Sequence, residues 1–132
     1  MTVSILLADD FPSFRKYIRT KLESEPGYQV VAEAADGLSA VQKAEELKPE
    51  IVLLDIAMPW MDGCEAARRI RQVSPASKIV FLTAHESLPM VTRARELGAC
   101  GYLIKSQVNR ELFPALKAVI LGHMYFGAHS GD

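Results

Sequence analysis

Ile51-Val52-Leu53-Leu54-Asp55 runs four apolar residues directly into a carboxylate. The run is short and begins with two β-branched residues. Apolar on both faces, it reads as a buried parallel strand rather than a helix turn. The following stretch, Ile56-Ala57-Met58-Pro59-Trp60-Met61-Asp62-Gly63, reads as a loop punctuated by Pro59 and Gly63. Asp55 therefore stands at the carboxyl end of a central strand, the end at which open α/β sheets bind ligands. A carboxylate there is either desolvated at a cost or held by a cation. One such Asp can equally be a loop cap, so the rest of the chain decides its meaning.

The same grammar recurs upstream. Val3 to Ala8 is apolar and ends in Asp9-Asp10. Phe11, Phe14, Ile18 and Leu22 then mark one helical face, with Pro12 in the first turn and Pro26-Gly27 closing it. Tyr28 to Ala34 carries Gln29 and Glu33, as an edge strand does. After Asp36-Gly37, the residues Leu38, Val41, Ala44 and Leu47 predict the buried stripe of a second helix, stopped by Pro49. Asp62 with Glu65 three residues later resembles a capping box that opens a third helix through Arg71.

Ser74-Pro75 breaks the chain before Lys78-Ile79-Val80-Phe81-Leu82, a fourth strand ending at Thr83-Ala84. Pro89 and Gly98 bracket a fourth helix. Tyr102-Leu103-Ile104 is a fifth strand ending at Lys105. A last helix reaches about Leu121, with Leu116, Val119 and Ile120 as core contacts. Pro114 either starts that helix or kinks it. The division expected is one domain over residues 1–121, followed by a tail or linker stub over residues 122–132. Five strands alternating with five helices predict an α/β fold, a doubly wound parallel sheet.

Bulk properties fit one domain. The chain has 132 residues, 49% hydrophobic and 23% charged, with a net charge of −1, which argues against a nucleic-acid or membrane surface. No apolar run reaches the length of a membrane span. The N-terminus lacks a basic region and meets Asp9-Asp10 at once, unlike a signal peptide. Cys64 and Cys100 have no metal spacing and fit a reducing cytoplasm. His85, His123 and His129 form no ligand set.

Parallel strands gather the strand-end residues on one rim: Asp9, Asp10, Asp55, Thr83 and Lys105. Three carboxylates close together resist ionisation. A hard divalent cation relieves that, and Mg²⁺ leaves room for water and phosphate oxygens. Lys105 and Thr83 supply the charge and hydroxyl that suit phosphoryl oxygens. The rim reads as a site for a phosphoryl group on a carboxylate nucleophile.

At this point Leu6-Leu-Ala-Asp-Asp10, Asp55-Ile-Ala-Met-Pro-Trp-Met-Asp-Gly63, Leu82-Thr-Ala84 and Gly101-Tyr-Leu-Ile-Lys105, in this order, resemble the receiver domain of a two-component response regulator. The resemblance covers Val3 to about Leu121 and implies a flavodoxin-like sheet of order 2-1-3-4-5. It implies that Asp55 accepts phosphate from a phosphohistidine on a sensor histidine kinase or phosphotransfer protein. It further implies that Asp9, Asp10, Asp55 and the backbone carbonyl of Ala57 hold Mg²⁺, that Thr83 and Lys105 contact the phosphoryl group, and that Thr83 and Tyr102 form the switch. Thr83 would move toward the phosphate and vacate space for a rotating Tyr102. The face built from the fourth helix, fifth strand and fifth helix would then be re-presented to a partner, with a homodimer among the possibilities.

Ser106 stands where many receivers have proline. Lys105-Ser106 with Gly98-Ala-Cys-Gly-Tyr102 is similar to the subfamily carrying a LuxR-type helix-turn-helix output, so DNA would be met only through an output domain. One alternative, an aspartyl-phosphate hydrolase of the haloacid-dehalogenase type, would need a second Asp where Ala57 stands; another, a stand-alone receiver acting only by protein contacts, is opposed by the intact acid set and Lys105. At most, slow self-dephosphorylation is expected. No Gly-x-Gly-x-x-Gly or Walker loop follows the first strand. His85 reads first as a solvated loop histidine at the site mouth, and second as a side chain that shapes water access to the acyl phosphate. Trp60 reads as a loop side chain or a partner contact.

Overall fold

The five apolar segments are five parallel strands in the computed structural model, which describes residues 2–85 and 87–126. In chain order they are β1 (Val3–Ala8), α1 (Pro12–Glu23), β2 (Tyr28–Ala34), α2 (Gly37–Leu47), β3 (Ile51–Asp55), α3 (Gly63–Val73), β4 (Lys78–Thr83), α4 (Leu88–Glu96), β5 (Gly101–Ile104) and α5 (Val108–Ile120). The sheet order is β2-β1-β3-β4-β5. Every pairing is parallel, as βαβ crossovers require.

The central strand shows why its sequence is apolar throughout. Val52 and Leu54 join the core layer under α2, α3 and α4, whereas Ile51 and Leu53 join the layer under α1 and α5. All five residues of β3 are buried. Helix ends are set by short polar caps: the Asp36 carboxylate accepts from Ser39 N–H at 2.8 Å, and Asp62 accepts from Glu65 N–H at 2.9 Å. Only half of the expected box at Asp62 forms, because Glu65 pairs instead with Arg68 and Arg69.

Four side chains expected in the core are not there. Phe11 precedes α1 and is exposed, as are Leu38, Leu47 and Ile120. In α2 the buried stripe is Gly37, Ala40 and Ala44. α2 packs on α3, whose inner face offers Ala66 and Ala67, so small residues on both sides allow the close approach and the leucines turn outward. α5 begins at Val108, which leaves Pro114 inside the helix on its exposed side. Pro114 removes the helical donor of the Arg110 carbonyl, and both residues are exposed.

The chain after Leu121 begins as packed structure. Tyr125 bridges Gly101 in parallel, and Phe126 is buried. β5 is last in the sheet order, yet all four of its residues are buried. Residues 127–132, including His129, lie outside the described residues.

Candidate functional site

Register brings the site together. Ala8 pairs with Leu54, Asp55 with Leu82, and Thr83 with Ile104, so Asp9, Asp55, Thr83 and Lys105 leave the sheet at one level. Asp9 and Asp55 are buried, whereas Asp10 is exposed. One carboxylate oxygen from each of the three lies within 4.8 Å of the others.

The Lys105 ammonium lies across the two buried acids, 2.8 Å from Asp9 Oδ2 and 3.2 Å from Asp55 Oδ2. It also sits 4.6 Å from the centre of the Phe14 ring. Burial alone would lower the Lys105 pKa. The close contact with the Asp9 carboxylate and the charges of Asp55 and Asp9 outweigh that and hold it above the ordinary lysine value. For Asp55 burial dominates: desolvation, helped by the Asp9 charge and opposed by Lys105, pushes its carboxyl from 3.8 to about 6.

The remaining oxygens are nearly spoken for. Asp9 Oδ1 accepts from Phe11 N–H at 2.8 Å, and Asp55 Oδ1 from Ala57 N–H at 3.2 Å. Asp9 Oδ2 is buried without a well-directed hydrogen bond; its balance is the charge of Lys105. An all-oxygen, strongly anionic set with an under-satisfied oxygen is what a hard divalent cation suits. Soft or tetrahedral metals are poorly served by it.

Local backbone chemistry fixes these positions. Gly63 N–H donates to Ile56 O at 2.7 Å, folding the loop after Asp55 back on itself. A Cβ at Gly63 would lie 2.3 Å from Asp55 O and 2.7 Å from Ile56 Cα, so only glycine lets α3 start this close to the strand end. At the loop apex, Trp60 takes φ 69 and is 94% exposed.

Thr83 and Tyr102 meet at one carbonyl. The Thr83 hydroxyl donates to His85 O at 3.3 Å and accepts from His85 N–H at 3.3 Å. The Tyr102 hydroxyl points at the same His85 oxygen from 3.5 Å, and its ring is already buried. The His85 side chain is exposed at the mouth of a cavity of about 710 Å³. Asp55, Thr83 and Lys105 line that cavity, and Phe11, Phe14 and Tyr17 extend it with an aromatic wall.

Two features escape sequence reasoning. Arg15 donates to the Asp9 backbone carbonyl at 2.7 Å and is itself held by Glu33 at 2.9 Å. Phe14, expected only as core, forms part of the cavity wall. No short motif signals either, because α1 had first to be placed against β1 and β2.

The chain as a whole is similar to known proteins. The family model described as the response regulator receiver domain matches residues 5–117. The chain is 37% identical over 123 residues to the transcriptional regulatory protein DegU of Brevibacillus brevis, covering 93% of this chain and 52% of that one. It is 35% identical over 126 residues to the response regulator UvrY of Escherichia coli, covering 96% and 58%. The crystal structure of a LuxR-family two-component response regulator from Aurantimonas sp. SI85-9A1 superposes with a TM-score of 0.90 at 40% identity, covering 95% of this chain and 89% of that one. The chain spans a little over half the length of these curated relatives. Among the described residues no helix is long and apolar enough to cross a membrane.

Proposed function

The chain belongs to the response regulator receiver domain family, and on that premise we propose that it is a phosphorylation switch whose acceptor is Asp55. A carboxylate oxygen of Asp55 attacks the phosphorus of a phosphohistidine on a sensor kinase or phosphotransfer protein. The P–N bond breaks, the imidazole leaves with the bonding pair, and Asp55 becomes an acyl phosphate. The observation that carries this reading is the convergence of three carboxylates with the Lys105 ammonium, 2.8 and 3.2 Å from the two buried ones, at a strand-end rim.

Asp9, Asp10, Asp55 and the Ala57 carbonyl would hold Mg²⁺, which when bound neutralises the acids and the incoming phosphoryl oxygens. Lys105 stays with the group that carries most charge. It bridges Asp9 and Asp55 before transfer and turns to a phosphoryl oxygen afterwards. Ala57, two residues after Asp55, offers no proton to a leaving group, so loss of the phosphoryl group is slow and turnover is not the chain's role.

The readout begins at His85. Phosphate oxygens draw the Thr83 hydroxyl away from His85 O, and the Tyr102 hydroxyl then has that carbonyl to itself. Because Tyr102 is already inside, we propose an exchange of hydroxyl partners in place of an inward swing of the ring. The α4–β5–α5 face then changes toward a partner, a second copy of the chain among them. We infer that this receiver controls transcription through an output domain, as the names of its relatives suggest. The free thiols Cys64 and Cys100 suit a cytoplasmic setting.

Incubation with acetyl phosphate and Mg²⁺ tests the reading. Intact-mass spectrometry should show one added phosphoryl group, released by hydroxylamine and absent in Asp55→Asn. Equal labelling of that variant refutes the assignment.

A further inference from the structure

The chain that follows α5 is fastened to the element that carries Tyr102. Gly122 N–H donates to Val119 O at 3.0 Å and His123 N–H to Ala118 O at 2.9 Å. With φ +90 at Gly122, this closes the helix and turns the chain back. Tyr125 then lies along the open edge of β5. Its N–H donates to Cys100 O at 2.9 Å, and its carbonyl accepts from Tyr102 N–H at 2.9 Å. A Cβ on Gly101 would stand 3.0 Å from that carbonyl, so glycine there lets the strap lie this close without a shift.

Phe126 then crosses the sheet edge. α5 packs on one face of the sheet, but Phe126 belongs to the core layer of the other face, with Tyr102, Val91 and Ala94. It is 1% exposed, and the Arg95 guanidinium lies 4.1 Å above its ring. Its slot is therefore walled by α4 and by the strand of Tyr102.

We propose that residues 122–126 are a strap, seated while the Thr83 hydroxyl is held by His85 and loosened when Asp55 is phosphorylated, so that the switch acts on the chain beyond Phe126. This deepens the proposed switch and rests on it. The Thr83–His85–Tyr102 junction begins the connection into α4, and α4 places Arg95 over the Phe126 ring and contributes Val91 and Ala94 to the same core layer. When Thr83 leaves the junction, that connection is re-formed and α4 shifts. Phe126 has α4 on one side and the narrow edge of β5 on the other, so it loses burial. Coupling of this kind is reciprocal: whatever unseats the strap must favour the phosphorylated arrangement.

Hydrogen exchange followed by NMR on the 132-residue chain tests this, with beryllofluoride and Mg²⁺ as the probe. The Tyr125 and Tyr102 amides should exchange about tenfold faster with the probe bound. The Cys100 amide, bonded to Ile79 O, should not. Fluorine NMR of the bound probe is read on the same sample. A bound signal with strap amides unchanged or slowed overturns the strap and leaves the switch standing; no bound signal overturns both. In the second arm, Phe126→Ala should bind beryllofluoride at least about threefold more tightly. Phe126→Leu serves if the alanine variant is unfolded by circular dichroism. Unchanged affinity in a folded variant also overturns the strap.

Discussion

Replacing Asp55 by asparagine should make the metal-free protein more stable at neutral pH, although it removes the residue proposed to carry the chemistry. The Asp55 carboxyl is raised from 3.8 to about 6, chiefly by burial and then by the charge of Asp9. Between those values the folded chain holds a proton that the unfolded chain has released. Stability from this group is thus fully present below 3.8 and lost as pH rises through about 6. A shift of roughly two units costs about 3 kcal/mol once both states are ionised. Asparagine mimics the neutral acid and can still accept from Lys105, so Asp55→Asn should gain about 2–3 kcal/mol at neutral pH. With a urea slope of about 1.5 kcal/mol/M, the midpoint should rise by about 1.3–2 M. The assay is urea unfolding in EDTA across acidic to neutral pH. The two curves should converge below pH 3.8, where wild-type Asp55 is protonated in both states. Mg²⁺ should raise the wild type toward the variant at neutral pH. An Asn variant no more stable than wild type at neutral pH, or a gain independent of pH, refutes the reasoning.

Lys105→Met should cost about 3 kcal/mol at neutral pH, because Asp9 and Asp55 keep their burial and lose their shared cation; urea unfolding with and without Mg²⁺ should show the deficit shrinking when the metal is added. Gly63→Ala should lose about 2 kcal/mol or more and slow phosphorylation, since its Cβ meets backbone atoms of Asp55 and Ile56 that cannot rotate away; thermal unfolding and labelling by acetyl phosphate check both. Thr83→Ala should still accept phosphate while the NMR shifts of Tyr102 and His85 stay near their unmodified positions, because the hydroxyl that connects the site to His85 O is gone.

The sheet was legible because buried parallel strands are continuous apolar runs, and the polar residue ending each run marks the rim where ligands bind. Asp9, Asp10, Asp55, Thr83 and Lys105 could thus be placed together before any coordinates. Helix faces were less legible. In α2 the periodicity of Leu38 and Leu47 pointed to one stripe, yet the close contact with Ala66 and Ala67 of α3 selected Ala40 and Ala44. A hydrophobicity pattern ranks leucine above alanine and does not encode the distance between helices. Phe11 stayed outside because it precedes the first turn of α1 and lines the cavity rather than the core. The Arg15 contact to the Asp9 carbonyl and the strap on β5 depend on tertiary placement. The tail expected from residue 122 onward carried no sign of where the chain would go next.

Reduction of the modified protein with borohydride, which converts an aspartyl phosphate to homoserine, tests the central claim most directly. The chain would be treated with acetyl phosphate with and without Mg²⁺, reduced, digested and sequenced by mass spectrometry. The expected result is homoserine at position 55 alone, formed only when Mg²⁺ is present. Homoserine at Asp9 or Asp10, or equal conversion of Asp55 in EDTA, would contradict the account.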